Sequence, residues 1–181
     1  MPTSTKLITG EELLAMGDIG RCELIYGEVV KMSPSGSQHG QITGRLAGIL
    51  DVWNNQHKRG VVFGAETGFR LERNPDLVRA PDAAFVEGDR VGDEVPIGFF
   101  EGPPDLAVEV VSPTDSWPDV ESKVDMWLAH GCRSCWVVDP KNRQISVYQN
   151  GGSIVKLRET EILEDSVLPG FSTPVAAVFA R

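Results

Sequence analysis

Leu106-Ala-Val-Glu-Val-Val111 is the most apolar run of the chain, and its apolar residues do not alternate with polar ones. A strand with one wet face alternates, whereas a strand covered by helices on both faces does not. The run therefore predicts a central strand. Downstream, Pro118 to His130 has helical spacing, with Gly131 as its stop. Cys135-Trp-Val-Val138 then re-enters the sheet, Asp139-Pro-Lys-Asn-Arg143 turns it, and Gln144 to Tyr148 returns as a neighbour. Asn150-Gly151 marks a further hairpin.

Upstream, Thr9 and Glu12 form a capping-box signature for a short helix ending near Gly17. Glu23-Leu-Ile-Tyr-Gly-Glu-Val-Val-Lys-Met32 reads as two strands turning around Gly27. A second helix is expected from about Gln38 to His57, where Ile42, Leu46, Ile49, Leu50 and Trp53 recur at helical spacing. Gly40, Gly44 and Gly48 repeat every fourth residue on it and suggest close backbone packing. Val61 to Phe63, Thr67 to Leu71 and Val78 to Val86 look like strands of a meander, and Glu87 to Pro104 reads as a long surface loop. The order of elements implies an α+β sandwich around a mixed sheet.

A chain of 181 residues, 41% hydrophobic and 24% charged, suits one globular domain. No apolar run approaches the roughly 18 residues of a membrane span, and the N-terminus has no signal-peptide pattern, so a cytoplasmic location without membrane contact is expected. The formal charge of -9 argues against a sequence-independent DNA coat, which gains affinity by neutralising phosphates with basic residues. It leaves a nuclease open, because clustered carboxylates at a metal site account for part of that charge.

Three residues stand in the wrong solvent. Glu109 lies inside the central strand, where a carboxylate has to be paired, protonated or metal-bound. Asp82 precedes the apolar stretch Ala83-Ala-Phe-Val86, with Pro81 fixing the backbone before it. Pro-Asp is common in loops and recurs here at Asp76 and Asp105, so Asp82 also reads as a turn acid. Lys123 lies within the helical stripe of Val120, Val124, Trp127 and Leu128, where an isolated lysine would simply snorkel. The helix starts a few residues after Glu109, however, so its inner face returns across the end of that strand. Two acids and a lysine at one strand end suit metal-dependent phosphodiester hydrolysis: hard oxygens hold Mg²⁺ (or Mn²⁺), and an ammonium stabilises the phosphorus-centred transition state. Two carboxylates in one partly buried site repel, so one should titrate late.

At these residues the sequence resembles the Uma-type restriction endonuclease family, a branch of the PD-(D/E)XK nuclease superfamily. The resemblance runs through Glu23-Leu-Ile-Tyr-Gly-Glu28, Ser33-Pro34, His39-Gly40, Arg79-Ala-Pro-Asp82, Val108-Glu-Val-Val-Ser-Pro113, Lys123 and Trp136-Val-Val-Asp-Pro140. It implies one nuclease-like domain over residues 1–181. That domain has a restriction-endonuclease-like α+β core, a central mixed sheet flanked by helices, and an N-terminal helix and hairpin extension. It implies that Asp82 and Glu109 bind the metal, with the Val110 carbonyl as a further ligand. The superfamily pattern places lysine two residues after the second acid; here that residue is Val111, and the resemblance passes the role to Lys123. Glu23 and His39 match family positions, as a further acid and a proton-transfer or phosphate-contacting group, or else as surface residues at a turn and a helix start. Nucleic acid, DNA first, is the implied partner, and a homodimer is expected from the need to cut two strands.

Two other classes compete. Cys132-Arg-Ser-Cys135 has redox spacing, but the pair follows a helix end and enters an apolar strand, whereas reactive thiols sit at helix N-termini. Zinc would need a second ligand pair, and Cys22, His39, His57 and His130 offer no recognisable spacing. The thiols are expected to stay reduced. The stronger alternative is a nuclease-fold protein that binds nucleic acid or protein without cutting.

Overall fold

Thr9 and Glu12 form the anticipated reciprocal capping box at the start of α1 (Gly10–Ala15) in the computed structural model, which describes residues 6–180. The chain continues through β1 (Cys22–Ile25), β2 (Glu28–Lys31), α2 (Ser37–His57), β3 (Gly60–Phe63), β4 (Phe69–Glu72), β5 (Leu77–Arg79) and β6 (Ala83–Glu87). It then forms α3 (Gly88–Val91), β7 (Phe100–Glu101), β8 (Leu106–Val110), α4 (Trp117–Ala129), β9 (Ser134–Asp139), β10 (Gln144–Gln149) and β11 (Ser153–Arg158). Three short elements follow: β12 (Ile162–Leu163), β13 (Thr173–Pro174) and α5 (Val175–Val178).

The apolar runs meet in a mixed sheet ordered β11-β10-β9-β8-β6-β3, antiparallel except where α4 carries the chain over from β8 to a parallel β9. All five residues of β8 are buried, as a strand covered on both faces requires. Alternation sorts them. Leu106, Val108 and Val110 join Ile42, Leu46, Leu50 and Trp53 of α2 in one core, while Ala107 joins Val120, Val124 and Trp127 of α4 in a second. Glu109 shares the parity of Ala107 and so belongs to the α4 face.

The N-terminal hairpin β1–β2 extends into a second sheet ordered β2-β1-β5-β4-β7, whose Phe69 and Phe100 close the α4-side core. Here the expected meander is replaced. Val78 to Val86 is two strands in two sheets, because the chain breaks at Ala80-Pro81-Asp82 between β5 and β6. The expected loop over 87–104 contains α3 and β7. Gly40, Gly44 and Gly48 do not pack closely within the chain, since a Cβ added to any of them would meet nothing within 4 Å.

Each end of the β6–β8 pair is clasped by an aspartate that follows a proline. At one end the Asp105 amide donates to Phe85 O (2.9 Å) and its Oδ2 accepts from Glu87 N (2.9 Å). At the other the Asp82 amide donates to Val108 O (2.9 Å) and its Oδ2 accepts from Val110 N (2.8 Å). The surroundings differ: Arg90 and Arg133 lie 2.9 and 3.6 Å from the Asp105 carboxylate, which neutralises it.

Candidate active site

Asp82 sits where Pro81 ends the link between the two sheets and β6 begins. Its amide and carboxylate take the residues on either side of Glu109, Val108 and Val110, which sets the two acids side by side at the ends of adjacent strands. Its second anchor comes from α2, where His39 Nε2 lies 3.2 Å from Asp82 Oδ2, and Thr43 Oγ1, one turn on, lies 3.5 Å from His39 Nδ1.

Glu109 is held from α4. Ser116 caps this helix by accepting from Asp119 N, with Pro118 in the first turn where its missing N–H costs nothing. Lys123 and Trp127, four residues apart, share one face and reach one carboxylate. Lys123 Nζ lies 3.3 Å from Glu109 Oε2 and Trp127 Nε1 donates to Oε1 at 2.8 Å. Lys123 is therefore not a lysine reaching only for water, although its side chain retains 30% exposure.

Glu23, on β1, approaches the same region but is engaged. Its Oε1 lies 3.1 Å from Arg79 Nε and accepts from Ala80 N at 3.1 Å, bracing the segment that leads into Asp82. Its negative charge still reaches Glu109 and Lys123.

The titration directions follow from this geometry. Burial, first of all, raises the pKa of Glu109; Lys123 opposes the rise, and repulsion from Asp82 and Glu23 adds to it. The late-titrating acid of the sequence reading is thus Glu109, with desolvation ahead of mutual repulsion. Attraction to Glu109 raises Lys123 and keeps it charged. The hydrogen bond to Asp82 raises His39 above its usual value, against its own burial, with a smaller contribution from the Val110 main chain.

In the sequence Trp127 reads only as part of an apolar stripe. Its position four residues beyond Lys123 is the available signal, because a buried indole N–H needs an acceptor. Cys132 and Cys135 are buried and unbridged, the Cys132 thiol donating to Ser134 O at 3.0 Å. Burial pushes Cys132 up to about 12 and Cys135 well above the usual thiol value, the opposite of a reactive pair.

A sequence profile described as "Putative restriction endonuclease", the Uma2 family, matches residues 11–176. The chain belongs to the Uma2 family. No curated protein matches it. Its fold is similar to a solved structure titled "a putative nuclease belonging to DUF820 from Anabaena variabilis", with a TM-score of 0.80 over 95% of this chain and 97% of that one at 18% identity. That likeness shows the fold, a mixed α+β architecture around central mixed sheets.

Nucleases of the Uma2 type generally work with a divalent metal, so the donor set must be tested against one. Among the described residues no three His, Cys, Asp or Glu side chains gather into a complete metal cage. Mg²⁺ does not need one. It retains several waters and takes one or two carboxylates, which is what Asp82 and Glu109 offer. As a donor set the pair fits such an ion, two carboxylate side chains at the ends of adjacent strands. Among the described residues of this Uma2 member, no helix is long and apolar enough to cross a membrane.

Proposed function

We propose that this chain is a metal-dependent endonuclease that hydrolyses phosphodiester bonds of nucleic acid, DNA in the first place, using Mg²⁺ or Mn²⁺. The observation that carries the reading is the buried Glu109 carboxylate, oriented by Trp127, with Lys123 at 3.3 Å and Asp82 at the neighbouring strand end. Burying an acid against the α4-side core costs several kcal/mol unless it is paired and hydrogen-bonded, and the partners Glu109 has taken are a lysine and an indole N–H beside a second acid.

Asp82 and Glu109 would hold the metal, with the Val110 carbonyl as a third oxygen. The metal would supply an activated water and Lewis-acid stabilisation of phosphoryl charge. Lys123, fixed as an ammonium, orients the attacking water and stabilises the negative charge that gathers on the phosphoryl oxygens. Hydrolysis would form a phosphorus–oxygen bond to water and break the bond to the leaving sugar oxygen, the proton given up by the water to solvent being balanced by the one that oxygen takes up. His39, holding a proton beside Asp82, lines the cleft as the group that contacts phosphate or transfers that proton. Glu23 fixes the approach of the chain to Asp82 through Arg79 and Ala80. A homodimer would place two such sites for cutting both strands.

The test is nicking of supercoiled plasmid and of single-stranded DNA with Mg²⁺ or Mn²⁺, abolished by EDTA. Thermal stabilisation by either ion is the accompanying binding measurement. Tight nucleic-acid binding with no cleavage under any metal would replace this reading with that of a binding module.

A further inference from the structure

We propose that the cavity beside His39 is a subsite for an unpaired nucleotide next to the cleaved bond, with Trp117 as its stacking platform. The inference rests on the nuclease reading and names the kind of strand the site takes. The cavity, about 790 Å³, lies between the start of α2, the end of β8, the start of α4 and the β9–β10 turn. That volume suits a nucleotide-sized ligand. His39 is part of its wall, and the same ring lies 3.2 Å from the Asp82 carboxylate, so the cavity adjoins the candidate site through one side chain.

Trp117 opens α4 and is 50% exposed, whereas Trp53, Trp127 and Trp136 are buried. A tryptophan at the first helical position adds nothing to capping, and half of this one faces solvent at the cavity. Val111, Pro113 and Val120 continue the apolar wall. An exposed indole over an apolar wall is a base-stacking surface, worth about ten-fold or more in affinity per stacked base.

Phosphate would meet Lys141 here, while the two acids of the lining are turned to local N–H donors. The Asp139 carboxylate accepts from Lys141 N, Asn142 N and Asn142 Nδ2, and Asp115 Oδ2 accepts from Ser112 N. Lys141 is exposed and enters none of the ion pairs among the described residues. The first turn of α2, whose cap residue Gly36 supplies no side-chain acceptor, opens on the same space and adds positive potential. The cavity therefore brings together a stacking ring at Trp117, an ammonium at Lys141 for phosphate, and a wall at His39, which contacts Asp82. Seating a base in a cavity takes it out of the duplex stack, so the preferred substrate has an unpaired nucleotide beside the scissile bond.

The experiment compares a fluorescein-labelled oligothymidylate of about ten nucleotides with a blunt duplex of the same length. Equilibrium binding is measured in Ca²⁺, another cation that takes oxygen donors. The wild-type chain should bind the single strand more tightly, with a change in tryptophan emission, since Trp117 is the half-exposed indole. Trp117→Ala should weaken the single strand about ten-fold or more and the duplex less than about two-fold, while Trp117→Phe retains most of the affinity. Lys141→Ala should weaken the single strand and lower the salt slope by about one. Circular dichroism confirms that each variant is folded. The subsite is overturned if folded Trp117→Ala binds the single strand like the wild type, or loses both probes equally. It is overturned too if wild-type emission stays constant at saturation, or if only proteins, and no oligonucleotide, bind this face. Plasmid nicking is read separately. Cutting that ignores Trp117 sinks the subsite and spares the nuclease reading, whereas Trp117-dependent strand binding without any cutting does the reverse.

Discussion

The Lys123 ammonium lies 3.3 Å from Glu109 Oε2, an ion pair between a helix and the strand it follows. The two charges have opposite relations to a bound cation, and they should fail differently when removed. Glu109→Gln keeps the shape and loses the charge, so Mn²⁺ affinity by calorimetry and plasmid cleavage should fall together. Lys123→Ala should leave Mn²⁺ affinity unchanged or improved, because a nearby positive charge opposes a cation. Its cleavage rate should drop on the order of a hundred-fold. A folded Lys123→Ala protein cutting at the wild-type rate would remove Lys123 from the chemistry.

Trp127→Phe keeps a ring in the core and deletes the N–H that holds Glu109 Oε1. That bond lowers the Glu109 pKa against the effect of burial, so its loss should raise the pKa further. The acidic limb of the pH–rate profile should move to higher pH, with activity recovered as pH is raised. Stability should fall by about 1–3 kcal/mol. An unmoved acidic limb would mean that Trp127 only fills space.

His39 titrates above its ordinary value of 6.5 because its protonated ring pairs with Asp82. A base whose folded pKa is raised stabilises fully below its unfolded pKa and loses that contribution as pH rises through the folded one. Urea denaturation of the metal-free wild type and His39→Gln should therefore differ most in acid, with the gap closing above neutrality. A gap that is the same at every pH would disconnect His39 from Asp82.

Cys132 and Cys135 should ignore a thiol reagent in the folded protein, since burial raises both thiols far above neutrality. Cys22 is half-buried. A colorimetric titration should count one accessible thiol at most when native and all three after denaturation. Rapid modification of two or more native thiols would restore the redox reading.

Much of this was legible because two kinds of signal are local. The doubly apolar run at Leu106 gave the central strand and the odd charge in it, and the spacing of Val120, Val124 and Trp127 gave the face carrying Lys123. What escaped was non-local. The stretch from Val78 to Val86 reads as one strand because hydropathy runs on through Ala80 and Pro81, while the assignment of its halves to different sheets depends on distant partners. The short elements after residue 160 bury Leu163, Phe171, Val175 and Val178 in the α2-side core, yet none is long enough to display a period. Asp82 and Asp105 show the same limit at the site. Both follow proline and clasp the partner strand alike, and only the neighbours tell them apart: arginines at one, Glu109 at the other.

That shared clasp gives the β6–β8 pair a fixed gauge. A strand slipped by one residue turns every side chain to the opposite face, which would send Glu109 toward α2 and away from Lys123. The slip would also strip both aspartates of their amide partners at once, so the pair has one register in which its two ends agree. Val110 N and Glu87 N sit where strands ordinarily fray, yet each donates to a buried carboxylate. In hydrogen exchange both should belong to the slowest class, opening only with the whole molecule. Asp105→Ala, roughly 13 Å along the strand from Glu109, should speed exchange at Val110 as well as at Glu87. Rapid exchange at Val110 in the wild type would show the two ends to be independent. With the gauge intact, the spacing of the two acids is set by strand alignment across the whole pair, and the far end of the sheet serves as the datum from which the cleft is measured.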